Sequence, residues 1–216
     1  MTSIIVFGAG GRAGRAVSAE AERRGFQVTS VVRDPAGHQL PGRVVQGDVL
    51  DAGSMAELVA GHDAAVNAVS PASGPEALEN STLDAEFYVK ATDALLGGLA
   101  AAGVPRLVVI GLFVNLLDGA GNPLYDDPAV LPDEFRQFAL AHTAGLERLR
   151  AADTPVDWLM LTPPAQLDAE GPRLGTYRTG GETGGGTHLS YADLAVAVAD
   201  EIETPRHHRT RISIFD

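Results

Sequence analysis

The chain has no cysteine among its 216 residues. Disulfides, thiolate nucleophiles and zinc–cysteine centres are therefore excluded. Its histidines include no His-x-x-x-His pair. His207 and His208 lie between Arg206 and Arg209 in a stretch that reads as a surface loop, so no metal site is expected. Positive charge is scarce, with 16 Lys and Arg against 28 Asp and Glu, for a net charge of -12. Such an acidic chain is not expected to bind nucleic acid without sequence preference, or to dock on anionic membranes. Long apolar runs are missing as well. None approaches the roughly 18–20 residues that span a bilayer. The first run, Ile4–Phe7, is short and has no basic flank, so no signal segment is expected and the cytoplasm is the default location.

What is present is an ordinary globular composition, 45% apolar and 20% charged. This length suits one domain, or one with a small appended lobe. The organising stretch is Ile4-Ile5-Val6-Phe7-Gly8-Ala9-Gly10-Gly11-Arg12-Ala13-Gly14-Arg15. An apolar run enters a glycine cluster, and an alanine-rich segment with helical spacing follows. A buried parallel strand, a tight turn and a helix start in that order form the cradle in which a Rossmann unit takes a pyrophosphate. Two spacings compete: Gly8, Gly11 and Gly14 give GxxGxxG, whereas Gly8, Gly10 and Ala13 give GxGxxA.

Further along, apolar runs and helical periodicities alternate. Strands are expected at Ser3–Phe7, Phe26–Val32, Arg43–Gln46, Asp63–Val69, Arg106–Ile110, Asp157–Leu161 and Arg211–Phe215. Helices are expected at Arg12–Arg24, after an Asp51 cap, and at Thr82–Ala102, Asp133–Ala151 and Ser190–Glu203, the last opening on a variant capping box of Ser190 and Asp193. Ser73–Asn80 and the long connection Gly111–Pro132 read as loops, the second long enough to suggest a functional role. The pattern predicts an α/β, doubly wound parallel sheet. It reads as a single domain over 1–216, with a Rossmann core at 1–161 and a dependent C-terminal lobe at 162–216.

The sequence resembles the atypical short-chain dehydrogenase/reductase superfamily, in its group of small NAD(P)H-binding, NmrA-like and flavin-reductase-like proteins. The stretches that carry the resemblance are Ile5–Gly14, Thr29–Asp34, Gln46-Gly47-Asp48-Val49 and Leu189–Ala195, which favour the GxxGxxG reading. The resemblance implies that Gly8, Gly10, Gly11, Arg12, Ala13 and Gly14 surround the cofactor phosphates. It places Asp48 and Val49 at the adenine, and Asn67, Ala68, Val69 and Ser70 beside the nicotinamide ribose. Arg33 stands where NAD-preferring proteins carry an acid, and with Arg12 it suits a 2′-phosphate. Asp34 offers the opposing reading, a carboxylate on the ribose. The expected cofactor is therefore NADPH.

The superfamily's Tyr-x-x-x-Lys pair is absent. Lys90 is the sole lysine, and Tyr88 stands two residues before it rather than four. Gly111-Leu112-Phe113-Val114-Asn115-Leu116 matches the group's Gly-Gly-Ala-Gly-Ser-Leu segment, with Asn115 in place of the serine and bulky residues in place of small ones. Candidate catalytic residues are Asn115 as a hydrogen-bond donor, Phe113 as a stacking surface or a loop seal, and Tyr177 as a lid. His142 is either a proton donor or an exposed helix histidine. The expected function is NADPH-dependent hydride transfer to a flavin, quinone or similar acceptor, the flavin being a substrate. The alternatives are a non-catalytic NADP-binding sensor and, more remotely, a nucleotide-sugar epimerase or dehydratase. Partners are expected to be a small-molecule substrate, with neither nucleic acid nor membrane, and the protein a monomer or homodimer.

Overall fold

The computed structural model describes residues 1–71 and 84–216. The loop expected at Ser73–Asn80 and the helix start expected at Thr82 lie outside the described residues. Strand β1 (Ser3–Phe7) leads through the glycine turn into α1 (Arg12–Arg23). There follow β2 (Gln27–Val32), β3 (Arg43–Gln46), α2 (Ala52–Val59), β4 (Ala64–Asn67), α3 (Phe87–Ala102) and β5 (Arg106–Ile110). The second half holds α4 (Arg136–Ala151), β6 (Asp157–Thr162), β7 (Gln166–Asp168), β8 (Arg178–Thr179), β9 (His188–Ser190), α5 (Tyr191–Glu203) and β10 (Thr210–Phe215).

The main sheet has the order β3-β2-β1-β4-β5-β6-β10-β8, and only β8 runs antiparallel to its neighbour. Strands β7 and β9 form a separate parallel pair. At the centre, Ile4 lies opposite Val28 on one side and Ala64 on the other. Both faces of such a sheet are covered by helices, which is why its strands read as unbroken apolar runs. Ile4 and Val6 face a core built with α1 and α5, whereas Ile5 and Phe7 face one built with α2, α3 and α4. No helix among the described residues is long and apolar enough to cross a membrane.

Caps explain two helix starts. Asp51 accepts from the Gly53 and Ser54 amides at the head of α2. Ser190 accepts from the Asp193 amide at the head of α5. The Asp193 carboxylate accepts from the amides of Leu174 and Gly175, 3.2 and 2.7 Å away, and so anchors a distant loop. Two helices begin later than the periodicity predicts. Residues 84–86 form a turn in which Asp84 accepts from the Glu86 amide, so α3 starts at Phe87. Asp133–Phe135 is a 3-10 turn leading into α4 at Arg136. The long connection is partly ordered by its own polar groups: Asp118 accepts from the amides of Ala120 and Asn122.

The segment 162–216 is woven into the rest. Strand β10 lies between β6 and β8, and α5 packs on α1. Buried Glu20 on α1 accepts paired bonds from Arg23 and from Arg173, and a further bond from Arg24. These guanidiniums, Arg23 foremost, hold its carboxyl well below the usual range. Close packing on the other face depends on Gly145, where a Cβ would lie 2.7 Å from Tyr88 Cβ. The glycine lets α4 close on α3 and brings His142, one turn earlier, against the Tyr88 ring.

Candidate functional site

The turn after β1 explains its own glycines. Gly8 has φ +76°, and a Cβ there would lie 2.7 Å from the Ala68 carbonyl oxygen. A Cβ at Gly14 would lie 2.2 Å from the Gly8 carbonyl oxygen. These two are glycine so that β1, α1 and β4 can meet. Gly11 is different. Its φ of −79° suits any residue, and the nearest atom to a Cβ there is the Gly8 oxygen at 3.4 Å. Nothing inside the protein requires glycine at position 11. In contrast to α2 and α5, α1 has no side-chain cap, and its first turn carries no acid. Its leading N–H groups are left for a ligand, and the positive end of the helix favours an anion there.

A cleft of about 1210 Å³ opens over this turn. Every parallel strand from β1 to β6 contributes the residues at its C-terminal end: Gly8, Arg33, Asp48, Ala68, Gly111 and Pro163. Ligands of open parallel sheets bind in this position, where the strand order reverses. The volume exceeds the roughly 300–1,000 Å³ of a typical small-molecule site. Arg12 and Arg33 line it, and neither forms an ion pair among the described residues. Arg12 lies 5.9 Å from the centre of the Tyr191 ring. Asp34 also lines the cleft, but its Oδ1 accepts from the Ala36 amide. Asp48 Oδ1 accepts from the Leu50 amide.

Most of the residues expected at a cofactor are thus brought together: Gly8, Gly10, Gly11, Arg12, Ala13, Arg33, Asp48, Val49, Ala68, Val69 and Ser70 all line the cleft. Two are set back. Gly14 supports the turn from behind. Asn67 is buried and its Oδ1 accepts from the Val69 amide, which shapes the end of β4.

The other end of the cleft is aromatic. Phe87, Tyr88, Phe113 and Phe138 line it with Leu112 and Leu167. Tyr88 is the hub, with ring centres 5.1 Å from Phe87, 6.1 Å from Phe138 and 4.1 Å from His142. Burial pushes the Tyr88 phenol above its usual range, opposed by its bond with Ser70. The hydroxyl is shut away from solvent.

The candidate catalytic residues require corrections. Asn115 does not face the cleft. Its Nδ2 donates to the Ala139 carbonyl at 2.8 Å and to the Thr143 hydroxyl, and its own carbonyl accepts from Arg211. Asn115 ties the turn carrying Phe113 to α4 and β10. Tyr177 is not a lid. Its hydroxyl donates to Asp200 on α5 at 2.9 Å, and its ring packs on the core beside α1. Phe113 does line the cleft. His142 lines it too, but the exposed-histidine reading fails, since the residue is buried. Burial lowers its pKa to about 4, with the nearby Arg211 charge adding to the effect. At neutral pH it is an uncharged ring.

His142 has a consequence for stability. The unfolded chain takes up a proton near pH 6.5, whereas the folded chain resists it down to about 4. The stabilisation is complete above pH 6.5 and is lost as pH falls through that window. Wild type should lose on the order of 2 kcal/mol through this group between pH 7 and 4.5. His142→Phe should flatten that part of the profile, as read from urea midpoints at several pH values. Parallel profiles in the two proteins would show that His142 is not the group responsible.

Several cleft residues escape sequence reasoning: His38, Tyr88, Phe138 and Tyr191. Among the described residues no group of three acidic or histidine side chains is placed to hold a metal.

Comparison with known proteins agrees with this geometry. A family model described as NAD(P)H-binding matches residues 8–205. A solved structure of a candidate exported protein from Burkholderia pseudomallei is 32% identical, covers all of both chains and superposes with a TM-score of 0.84. A candidate NADH-flavin reductase from Streptococcus pneumoniae is 27% identical, again over all of both chains, with a TM-score of 0.82. A candidate epimerase from Bacteroides thetaiotaomicron is 30% identical, covers 99% of this chain and 96% of its own, and has a TM-score of 0.80.

Proposed function

We propose, from the premise that the chain belongs to the NAD(P)H-binding family, that it is an NADPH-dependent reductase delivering hydride to a flavin, a quinone or a similar conjugated acceptor. The residues fit a dinucleotide. The uncapped start of α1 and the open space at Gly11 hold the pyrophosphate, with Arg12 beside it. Asp48 and Val49 serve the adenine, and Arg33 the 2′-phosphate. Arg12 and Arg33 line the cleft without an ion pair among the described residues, which supports the phosphate reading over a carboxylate on a ribose. The residues at the end of β4, Ala68 to Ser70, flank the nicotinamide ribose. Once bound, the reduced nicotinamide supplies the hydride.

The observation that carries this reading is the far end of the cleft. It is aromatic, and its titratable groups stay neutral. Phe87, Phe113 and Phe138 form walls for a planar ring. Tyr88 and His142 add polarity without charge. The sole lysine is spent on Asp84 and Glu86. A ketone acquiring an alkoxide needs a proton donor and charge stabilisation, which this lining does not offer. A flavin or quinone spreads the incoming charge over its own rings, and solvent delivers the proton. Positioning is then the main contribution of the protein.

A panel of flavins, quinones and simple ketones, with NADPH oxidation followed by absorbance, tests this. General acid catalysis is worth roughly 10²–10⁴ in rate, so the conjugated acceptors should exceed ketones by at least about 100-fold. Comparable ketone rates would reveal a proton donor, with Tyr191 the first to replace. Tight NADPH binding without turnover of any acceptor would favour a sensor. That reading already has one supporting observation: Tyr88 and His142, at the aromatic end of the cleft, are both held neutral by burial. An epimerase also needs an acid–base residue at the sugar, so the same lining argues against it.

A further inference from the structure

The adenosine end of the cleft contains a side chain with no assigned role, His38. The turn that carries it is tightly built. Asp34 accepts from the Ala36 amide at 2.9 Å, Gly37 takes φ +78°, and the His38 amide donates to the Pro35 carbonyl. On the exit side, the Ser30 hydroxyl donates to the Pro41 carbonyl at 2.8 Å, and Leu40 packs on the core. The ring therefore reaches from the loop after β2 to the glycine turn. A Cβ at Gly10 would lie 3.2 Å from its Cε1 and 3.6 Å from its Nε2.

Arg15 fixes the chemistry of this ring. Its Nε donates to the Gly10 carbonyl at 2.9 Å, which anchors the guanidinium, and its NH2 lies 3.2 Å from His38 Nδ1. A guanidinium can only donate. His38 Nδ1 must therefore accept, and the ring proton resides on Nε2. The result is an oriented N–H donor at the edge of the cleft, between the glycine turn and the strand end that bears Arg33.

We propose that His38 is a specificity residue for the cofactor, donating from Nε2 to the 2′-phosphate, with its tautomer set by Arg15. The inference rests on the NADPH reading above and adds a second phosphate ligand of a different kind. Arg33 supplies charge, and His38 supplies a directed N–H donor. A ribose hydroxyl in place of the phosphate offers a weaker acceptor, so the bond discriminates between the two cofactors.

Calorimetric titration with NADPH and with NADH tests it, using wild type, Arg33→Ala, His38→Leu, His38→Gln and Arg15→Met. His38→Leu should weaken NADPH binding about tenfold, the worth of one hydrogen bond to a charged group. It should leave NADH within about twofold. His38→Gln sets an amide N–H near the Nε2 position and should restore most of the loss. Arg15→Met frees the tautomer and should weaken NADPH selectively. Equal weakening of both cofactors by His38→Leu would assign the ring to the pyrophosphate and overturn the proposal. Unchanged NADPH binding would overturn it as well. If wild type does not prefer NADPH, and Arg33→Ala changes nothing, the coenzyme reading itself fails and takes this proposal with it.

Discussion

Gly11→Val should abolish NADPH binding and leave the protein folded. Its φ of −79° is open to valine, and a Cβ there is in ordinary contact with one atom, the Gly8 oxygen at 3.4 Å. The internal cost is confined to the head of α1, where valine is a poorer N-cap than glycine by roughly 1 kcal/mol. The two methyls project into the space that the pyrophosphate needs. Loss of the close approach, and of the helix N–H groups behind it, should reduce affinity at least about 100-fold, since several charge-assisted hydrogen bonds fail together. Circular dichroism and a thermal melt report the fold, and calorimetry reports binding. A native melt with NADPH binding intact would mean that the turn does not cradle phosphate.

At Gly14 the expectation is reversed, with the fold lost rather than the ligand. Helix propensity alone predicts that alanine at this interior position stabilises α1 by about 1 kcal/mol. Packing predicts the opposite. The added methyl would lie 2.2 Å from the Gly8 oxygen and 2.7 Å from the Ala9 Cα, both backbone atoms that no rotamer can move aside. Helix α1 would have to lift from β1 and surrender contacts on that core. Gly14→Ala should cost about 3 kcal/mol or more, a large share of the ~5–15 kcal/mol that holds a domain together. The melting temperature should fall by roughly 6–12 °C. An unchanged or raised melting temperature would show that the turn has room the geometry denies.

The fold was largely legible because its signals are local. The glycine turn, the Asp51 and Ser190 caps and the apolar strands each state their structure within a few residues. At the site, legibility followed the same line. Residues at strand ends, such as Arg33, Asp48 and Ala68, could be placed because a parallel sheet delivers every strand end to one edge. Asn115 and Tyr177 could not, because a position in a motif does not say which way a side chain turns. Asn115 turned towards the Ala139 carbonyl and Tyr177 towards Asp200. His142 was partly readable, since Phe138, His142, Leu146 and Leu149 share one stripe of α4, and such a stripe is buried. Tyr88 and His38 gave no local sign. Their roles come from Gly145, which draws two helices together, and from Arg15, more than twenty residues away in the chain from the ring it orients.

The strand order also bears on how the chain reaches this state. The central strand β1 is completed by β4, with β2 and β3 emerging in between, and β10 finds β6 only after β7, β8 and β9 have passed. Three of the seven pairings in the sheet join strands that are not consecutive in the chain, and the parallel pairings between consecutive strands still need crossover connections. Closing such distant pairings precedes most of their energetic return, which places the protein among slow folders. During that interval Ile4–Phe7 and Leu107–Ile110 expose unpaired, apolar edges to other copies. Yield on refolding should therefore fall as protein concentration rises and improve on cooling, a kinetic burden carried by the same strands that make the finished sheet secure.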